Sequence, residues 1–255
     1  MRYGYQVEPV VIGKDYILGG LGSLPKDAIN ESKDWRDYLP VKELQNRNLE
    51  TFACVAFTTL NCVETLAKFL YGQDLNWSDR YLAKVSDTQT RGGNSPQNVA
   101  EYLRKVGCIP EGMWPYESKS FDEYYSTIPA KLHETARIFN KEYEFKHEYV
   151  PTSPVSLVEA LKLSPLGVSV PAWYKNDKGL FYRPEGMNDN HYTTLVNYKK
   201  DEYWEIWDTY DSVFKKLAWD IGFKTAKRYY IKEREQTKLS WWERSCLWRR
   251  IKSII

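Results

Sequence analysis

Histidine and cysteine are scarce in this 255-residue chain, at three and four residues. The cysteines, at 54, 62, 108 and 246, form no C-x-x-C pair, and no histidine has a His or Cys partner at ligand spacing, so no metal is expected. They are also too sparse for the disulfide framework of a small secreted domain, which points to a reduced compartment. Long apolar runs are missing, and Met1-Arg2-Tyr3-Gly4-Tyr5-Gln6-Val7-Glu8 lacks the apolar core of a signal peptide. A cytoplasmic or particle-associated protein is the expectation. Charge of neither sign prevails: 36 basic against 34 acidic residues give +2, which argues against a nucleic-acid partner. The Gly-rich stretch Gly19-Gly20-Leu21-Gly22 lacks the Lys-Ser/Thr of a phosphate loop, and no cofactor is expected.

What is present is a globular composition, 42% hydrophobic and 27% charged, on a chain long enough for one large domain or two lobes around a shared cleft. The surplus is aromatic. Ten Trp and 20 Tyr exceed what a core alone requires and suit a cleft that grips an extended polymer.

Residues 1–34 read as an arm, with a β-like run from Val7 to Ile12. From Thr51 to Tyr71 the residues Ala56, Leu60, Val63, Ala67 and Leu70 recur in steps of four and three, the stripe of a helix with Thr51 as N-cap and Gly72 as stop. Further helices are expected from Ser78 to Val85, from Pro96 to Val106 ahead of Gly107, and near Ser156 to Leu163. After about residue 140 short runs rich in Val, Tyr, Trp and Ile alternate with turn residues, as antiparallel strands do. The class is therefore α+β, with a helical lobe over about 45–120 meeting a β lobe over about 121–232 along a groove. The remainder, 233–255, is a basic tail carrying Trp241, Trp242 and Trp248, suited to packing on the domain, to a partner or to a membrane surface.

Cys54 opens the strongest helix, where the unpaired N–H groups and the macrodipole favour a thiolate, although an isolated helix cysteine is commonly just a small buried hydrophobe. Of the histidines, His133 and His147 sit in charged, surface-like surroundings. His191 instead opens the strand-like run to Tyr198, and Tyr203 to Asp208 follows as a second strand. A hairpin turning at Lys199-Lys200 would place His191 directly opposite Asp208, so that the carboxylate could hold the imidazole in one tautomer.

These residues, in this order, resemble the papain-like cysteine peptidases from Trp35 to Ile231. Asp34-Trp35-Arg36 and Gln45-Asn46 are similar to that family's lead-in, Ala53-Cys54-Val55-Ala56-Phe57 to its nucleophile motif, and Trp77-Ser78-Asp79-Arg80-Tyr81-Leu82 to its second helix. Gly92-Gly93 looks like its substrate strip, and Asn190-His191 followed by Trp207-Asp208-Thr209-Tyr210 like its histidine and the strand pair after it. The resemblance implies peptide-bond hydrolysis of a polypeptide, with Cys54 as nucleophile, His191 as base, Asp208 as its orienting partner and Gln45 with the Cys54 N–H as oxyanion hole. It further implies that substrate lies along Gly92 and Gly93 and that Tyr210 shields the His191–Asp208 bond. Departures are a longer loop before Cys54, Val55 in place of a tryptophan, and Asp208 in place of asparagine, whose added charge is expected to favour a thiolate–imidazolium pair. The arm is shorter than the family's inhibitory pro-domain. Two other readings stay open: a catalytically silent binding or structural module on the same fold, and a cysteine-dependent amidase or transpeptidase.

Overall fold

The computed structural model describes residues 4–11, 15–20 and 28–234. The basic, aromatic tail lies outside them. The helix expected from the Ala56 stripe forms as α1, Cys54–Tyr71, and Gly72 ends it in the left-handed conformation at φ 64°. Its beginning differs from expectation. Ala53, not Thr51, is the N-cap, because the Thr51 hydroxyl is spent on the Gln45 carbonyl at 3.0 Å, and Cys54 becomes the first helical residue. Nor is α1 buried along one stripe only: every residue from Cys54 to Ala67 is buried. The reason is central placement, with α2 (Asp79–Val85) and α3 (Pro96–Val106) packed on it together with the sheet. The polar residues this buries are bonded: Thr58 donates to the Tyr192 carbonyl at 3.0 Å, and the Glu64 carboxylate accepts from the Trp77 N–H at 2.6 Å. Ser78 and Ser95 cap α2 and α3 through their hydroxyls.

Two further helices, α4 (Phe121–Tyr124) and α5 (Ala130–Glu142), precede β1 (Tyr143–Tyr149). Next come α6 (Pro154–Leu161) and the strands β2 (Leu166–Val170), β3 (His191–Lys199), β4 (Tyr203–Trp207), β5 (Phe214–Ala218) and β6 (Ala226–Glu233). They make one six-stranded antiparallel sheet in the order β1-β6-β2-β3-β4-β5. Trp35 fastens the start of the domain to this sheet. It is fully buried, its N–H bonds the Val196 carbonyl at 3.0 Å and its indole the Leu161 carbonyl at 2.8 Å.

The β3–β4 hairpin turns later than expected. Lys199 pairs with Tyr203 across a three-residue turn holding Asp201 at φ 61°, and a bulge between Leu195 and Asn197 shifts the register again, so that Thr194 faces Trp207. Asp208 therefore lies diagonally from His191 rather than opposite it. In the arm, residues 7–11 form no strand, and the described part touches the domain through single bridges, Tyr5 with Asn94 and Ile17 with Tyr149. No described helix is long and apolar enough to cross a membrane.

Candidate active site

The sheet and the start of α1 bring five of the seven singled-out residues to one place. His191 Nε2 lies 2.6 Å from Asp208 Oδ1, both fully buried. The diagonal offset still lets them meet, because a ring and a carboxylate span the extra distance between diagonal neighbours. The Cys54 sulfur accepts a hydrogen bond from the main chain of Tyr192, the residue beside His191. Thr58, one turn further along α1, reaches the carbonyl of the same residue and so ties the helix start to the strand start.

Asp208 has a second partner. Lys215 on β5 places its ammonium 2.5 Å from Oδ2, and the Lys42 ammonium bonds the Asp208 carbonyl. Burial pushes the Asp208 carboxyl up, but His191 and Lys215 outweigh it and hold the group far below the usual carboxylate range. The charge that aspartate adds in place of asparagine is thus shared with Lys215, which weakens the expected push toward a thiolate–imidazolium pair. Burial also drives the Lys42 amine down to about 8, against the pull of Asp208 and Asp211. Two rings flank the imidazole: Tyr210 at 5.0 Å between centroids and 67°, and Trp173 at 5.5 Å and 76°, keeping water from the His191–Asp208 bond.

Gln45 is in the site, but its amide is engaged. Nε2 donates to Glu50 Oε1 at 3.1 Å and to the Tyr210 hydroxyl at 2.9 Å, while Oε1 accepts from Thr209 at 2.6 Å. Both amide hydrogens are committed. Glu50 also accepts from the Phe52 N–H at 2.8 Å and from Tyr210 at 2.6 Å, so the longer loop places a carboxylate where a donor was expected to stand open. The Cys54 thiol is raised far above its ordinary value, by burial first and by the charges of Glu50 and Asp208 after it. The resting cysteine is a neutral thiol.

The glycine strip is already in contact with the chain itself. Asn94 N–H donates to the Gly4 carbonyl and Gln6 N–H to the Asn94 carbonyl, both at 2.8 Å. Gly93 makes no backbone-to-backbone bond with the arm, its N–H and carbonyl being paired with Gln89, yet its missing β-carbon admits the arm: a Cβ there would lie 1.6 Å from the Gly4 carbonyl oxygen. The carbonyls of Gly92 and Gly93 accept from the Gln6 side chain at 3.1 and 3.0 Å.

Glu50, Trp173 and Lys42 carried no signal in the sequence that marked them for this site. Lys215 did, since in Phe214-Lys215-Lys216-Leu217 it shares a strand face with the buried Leu217. His147, expected at the surface, is buried with Nε2 3.0 Å from Glu101, and burial followed by the charge of Lys227 lowers it to about 3. His133 is half-buried, its Nδ1 3.2 Å from the Tyr81 hydroxyl. Cys62 and Cys108 are buried free thiols.

No family model matches the chain. Among curated proteins it is similar to mexicain of Jacaratia mexicana, 28% identical over 179 residues that cover 67% of this chain and 78% of the relative. It is also similar to stem bromelain of Ananas comosus, 27% identical over 190 residues, 68% and 79% of the two chains. The fold is that of the Carica candamarcensis cysteine protease solved with E-64, at a TM-score of 0.59 and 19% identity over 79% of this chain and 98% of that one. These likenesses, at low sequence identity, support a member of the papain-like cysteine peptidases and show the fold of that family. This chain's own site is marked by the Asp208–Lys215 pair and the Glu50 carboxylate on Gln45, with the arm lying along the glycine strip.

Proposed function

We propose that this peptidase cleaves polypeptides through a thioester on Cys54. The observation that carries the reading is the convergence, at the start of α1, of a thiol bonded to the Tyr192 main chain with the adjoining His191–Asp208 pair. In this reading His191 takes the Cys54 proton and the thiolate attacks the scissile carbonyl, forming a C–S bond. The imidazolium then returns its proton to the departing amine nitrogen as the C–N bond breaks. Water, deprotonated by the same imidazole, attacks the thioester and releases the acid with regeneration of the thiol. The backbone N–H of Cys54, first in its helix and without an intrahelical acceptor, faces the developing oxyanion. Gln45 joins it once Glu50 yields one amide hydrogen.

A binding module on the same fold is the second reading, and the commitment of both Gln45 hydrogens favours it. Labelling with a thiol-directed peptidyl electrophile separates the two, read as the rate at Cys54 in the parent over that in His191→Ala. Both chains carry the same arm, so its shielding cancels in the ratio. A ratio of about a hundred or more is expected of general-base activation. A ratio near one, with Cys54 no faster than Cys62, overturns the peptidase mechanism.

A further inference from the structure

Behind Gln45, on the side away from the sheet, acidic side chains from separate parts of the helical lobe are buried against one another. Glu64 lies on α1, Asp79 opens α2, Glu111 lies in the 3-10 turn Glu111–Met113, and Glu43 reaches them from the segment that leads to Gln45. The first three are 5%, 3% and 8% exposed. Glu64 and Glu111 accept the N–H groups of Trp77 and Tyr116, and Glu43 accepts from the Asn76 amide at 2.9 Å. The cations nearby are engaged elsewhere. Arg80, which faces Glu111, gives its guanidinium to the carbonyls of Tyr124, Pro115 and Glu123, and Arg47 pairs at 2.9 Å with Glu117, itself a further negative charge facing Glu43. The Cys108 thiol and the Tyr124 phenol, which also face the cluster, are held neutral by burial.

Glu43 and Asp79 meet carboxyl to carboxyl. Two carboxylates can only accept, so a hydrogen bond between them requires that one be a neutral carboxyl donating to the other. Asp79 Oδ1 and Glu111 Oε2 have no hydrogen-bond partner among the described residues, which a neutral buried group tolerates far better than an anion. Burial is the chief cause that lifts Glu43, Asp79 and Glu64 above the usual carboxylate range, and at Asp79 the charge of Glu43 comes second.

The pair bears on the site because Glu43 belongs to a strap between the lobes. On the sheet side the Lys42 ammonium bonds the Asp208 carbonyl and lies 4.0 Å from the centre of the Trp207 ring, and the Gln45 N–H bonds the Thr209 carbonyl at 3.0 Å. On the helical side the Tyr116 hydroxyl bonds the Leu44 main chain, and Glu43 bonds Asp79. Of the clustered carboxyls Glu43 alone is half-buried, and it lies outside any helix or strand, so it is the one free to leave when a second charge appears. We infer that the Glu43–Asp79 pair is a proton-dependent clasp on the Lys42–Gln45 strap: protonated it holds Gln45 in the site, and deprotonated it releases Glu43 to water and draws Gln45 out. The effect on activity rests on the proposed role of Gln45 in the oxyanion hole; the clasp itself does not. A carboxyl raised by docking contributes its bond fully below its free value and loses it as pH rises, so the strap is clasped in acid and opens toward alkaline pH. Lys42, lowered by burial to about 8, acts in the opposite sense as it loses its charge, but it is the same in parent and variants and cancels between them.

The test is hydrogen exchange of the full chain in a Cys54→Ala background at pH 5.5 and pH 9, corrected for the intrinsic effect of pH and read at residues 42–47 and at α3. Protection of the strap should fall about tenfold between the two, the worth of one buried hydrogen bond, while α3 stays within about twofold. Asp79→Asn supplies an amide that donates to Glu43 at every pH and should flatten that fall. Glu43→Gln, donating to the Asp79 carboxylate, should do the same and serves if the first variant does not fold. Asp79→Ala should show at pH 5.5 the low protection that the parent reaches at pH 9. Strap protection that is flat in the parent, that falls equally in the parent and the amide variants, or that is lost equally in α3 overturns the clasp. With Cys54 restored, peptide hydrolysis by Asp79→Asn relative to the parent should rise about tenfold from pH 5.5 to pH 9, the titrations of Cys54 and His191 cancelling in the ratio. A flat ratio beside the expected exchange pattern upholds the clasp and removes Gln45 from the mechanism instead.

Discussion

Asp208 and Lys215 should behave as a unit, and a double-mutant cycle measures it. Their charges lie 2.5 Å apart with side chains 0% and 7% exposed, so each is shielded from water by the other's presence. Removing one partner of a buried pair typically costs ~3–5 kcal/mol, while replacing both by packed neutral groups is often close to neutral. Here each single variant keeps something: Asp208 retains His191 and the Thr209 N–H, and Lys215 retains Asp211. The lower end is therefore expected, about 3 kcal/mol for Asp208→Asn and about 3 kcal/mol for Lys215→Met. The double variant should lose about 3 kcal/mol in all, because the methionine packs against Trp173, whose ring centre the lysine ammonium approaches to 4.9 Å. The coupling is then ~3 kcal/mol, and each single loss corresponds to a fall in Tm of roughly 6–12 °C in a chain of this size. Urea and thermal unfolding at neutral pH, in a Cys54→Ala background that prevents self-cleavage, give the four corners. Losses that add to within about 0.5 kcal/mol would refute the reasoning, since they would mean that the two charges are solvated separately. A kinetic arm carries the same logic into the site. In Lys215→Met with Cys54 restored, the whole Asp208 charge falls on His191 and Cys54 alkylation should extend to more acid pH; in Asp208→Asn it should retreat.

Glu50→Ala removes a carboxylate that raises the Cys54 thiol and releases an amide hydrogen of Gln45, so the pH profile of Cys54 alkylation should move to lower pH; an unchanged or higher profile would show that Glu50 does not act on the thiol. Glu111, beside Glu43, has its carboxyl pushed up to about 9, chiefly by burial. From the unfolded value near 4.3 up to about 9 the folded chain keeps a proton that the unfolded chain has lost, so this group erodes stability as pH rises, by up to about 1.4 kcal/mol per pH unit. The Tm of Glu111→Gln minus that of the parent should accordingly grow by several degrees from pH 5 to pH 8, and a difference that stays constant counts against the buried, protonated carboxyl.

Periodicity made the scaffold readable and left the details of the site out of reach, for separable physical reasons. The steps of four and three from Ala56 to Ala67, the serine caps and the Gly72 and Gly107 stops are local, and local signals place α1, α2 and α3 within a few residues. Cys54, His191 and Asp208 stood out because each lies at the end of such an element. The hairpin register was less accessible: nothing in Leu195-Val196-Asn197 announces a bulge, and a turn one residue longer moves every pair. The partners that tune the site come from further away still. Lys215 reaches Asp208 from the next strand, Trp173 reaches His191 from the loop after β2, and Glu50 reaches Gln45 because the loop between them folds back. The arm is the extreme case. Its β-like pattern from Val7 predicted a strand, but the contacts that hold it are those of Gly4, Tyr5 and Gln6 with residues about 50 to 220 positions away, and they depend on a Gly93 without a β-carbon. The sequence shows an arm shorter than the family's inhibitory pro-domain with a β-like run in it, whereas the close approaches at Gly4 and Gly93 are set only by the folded chain.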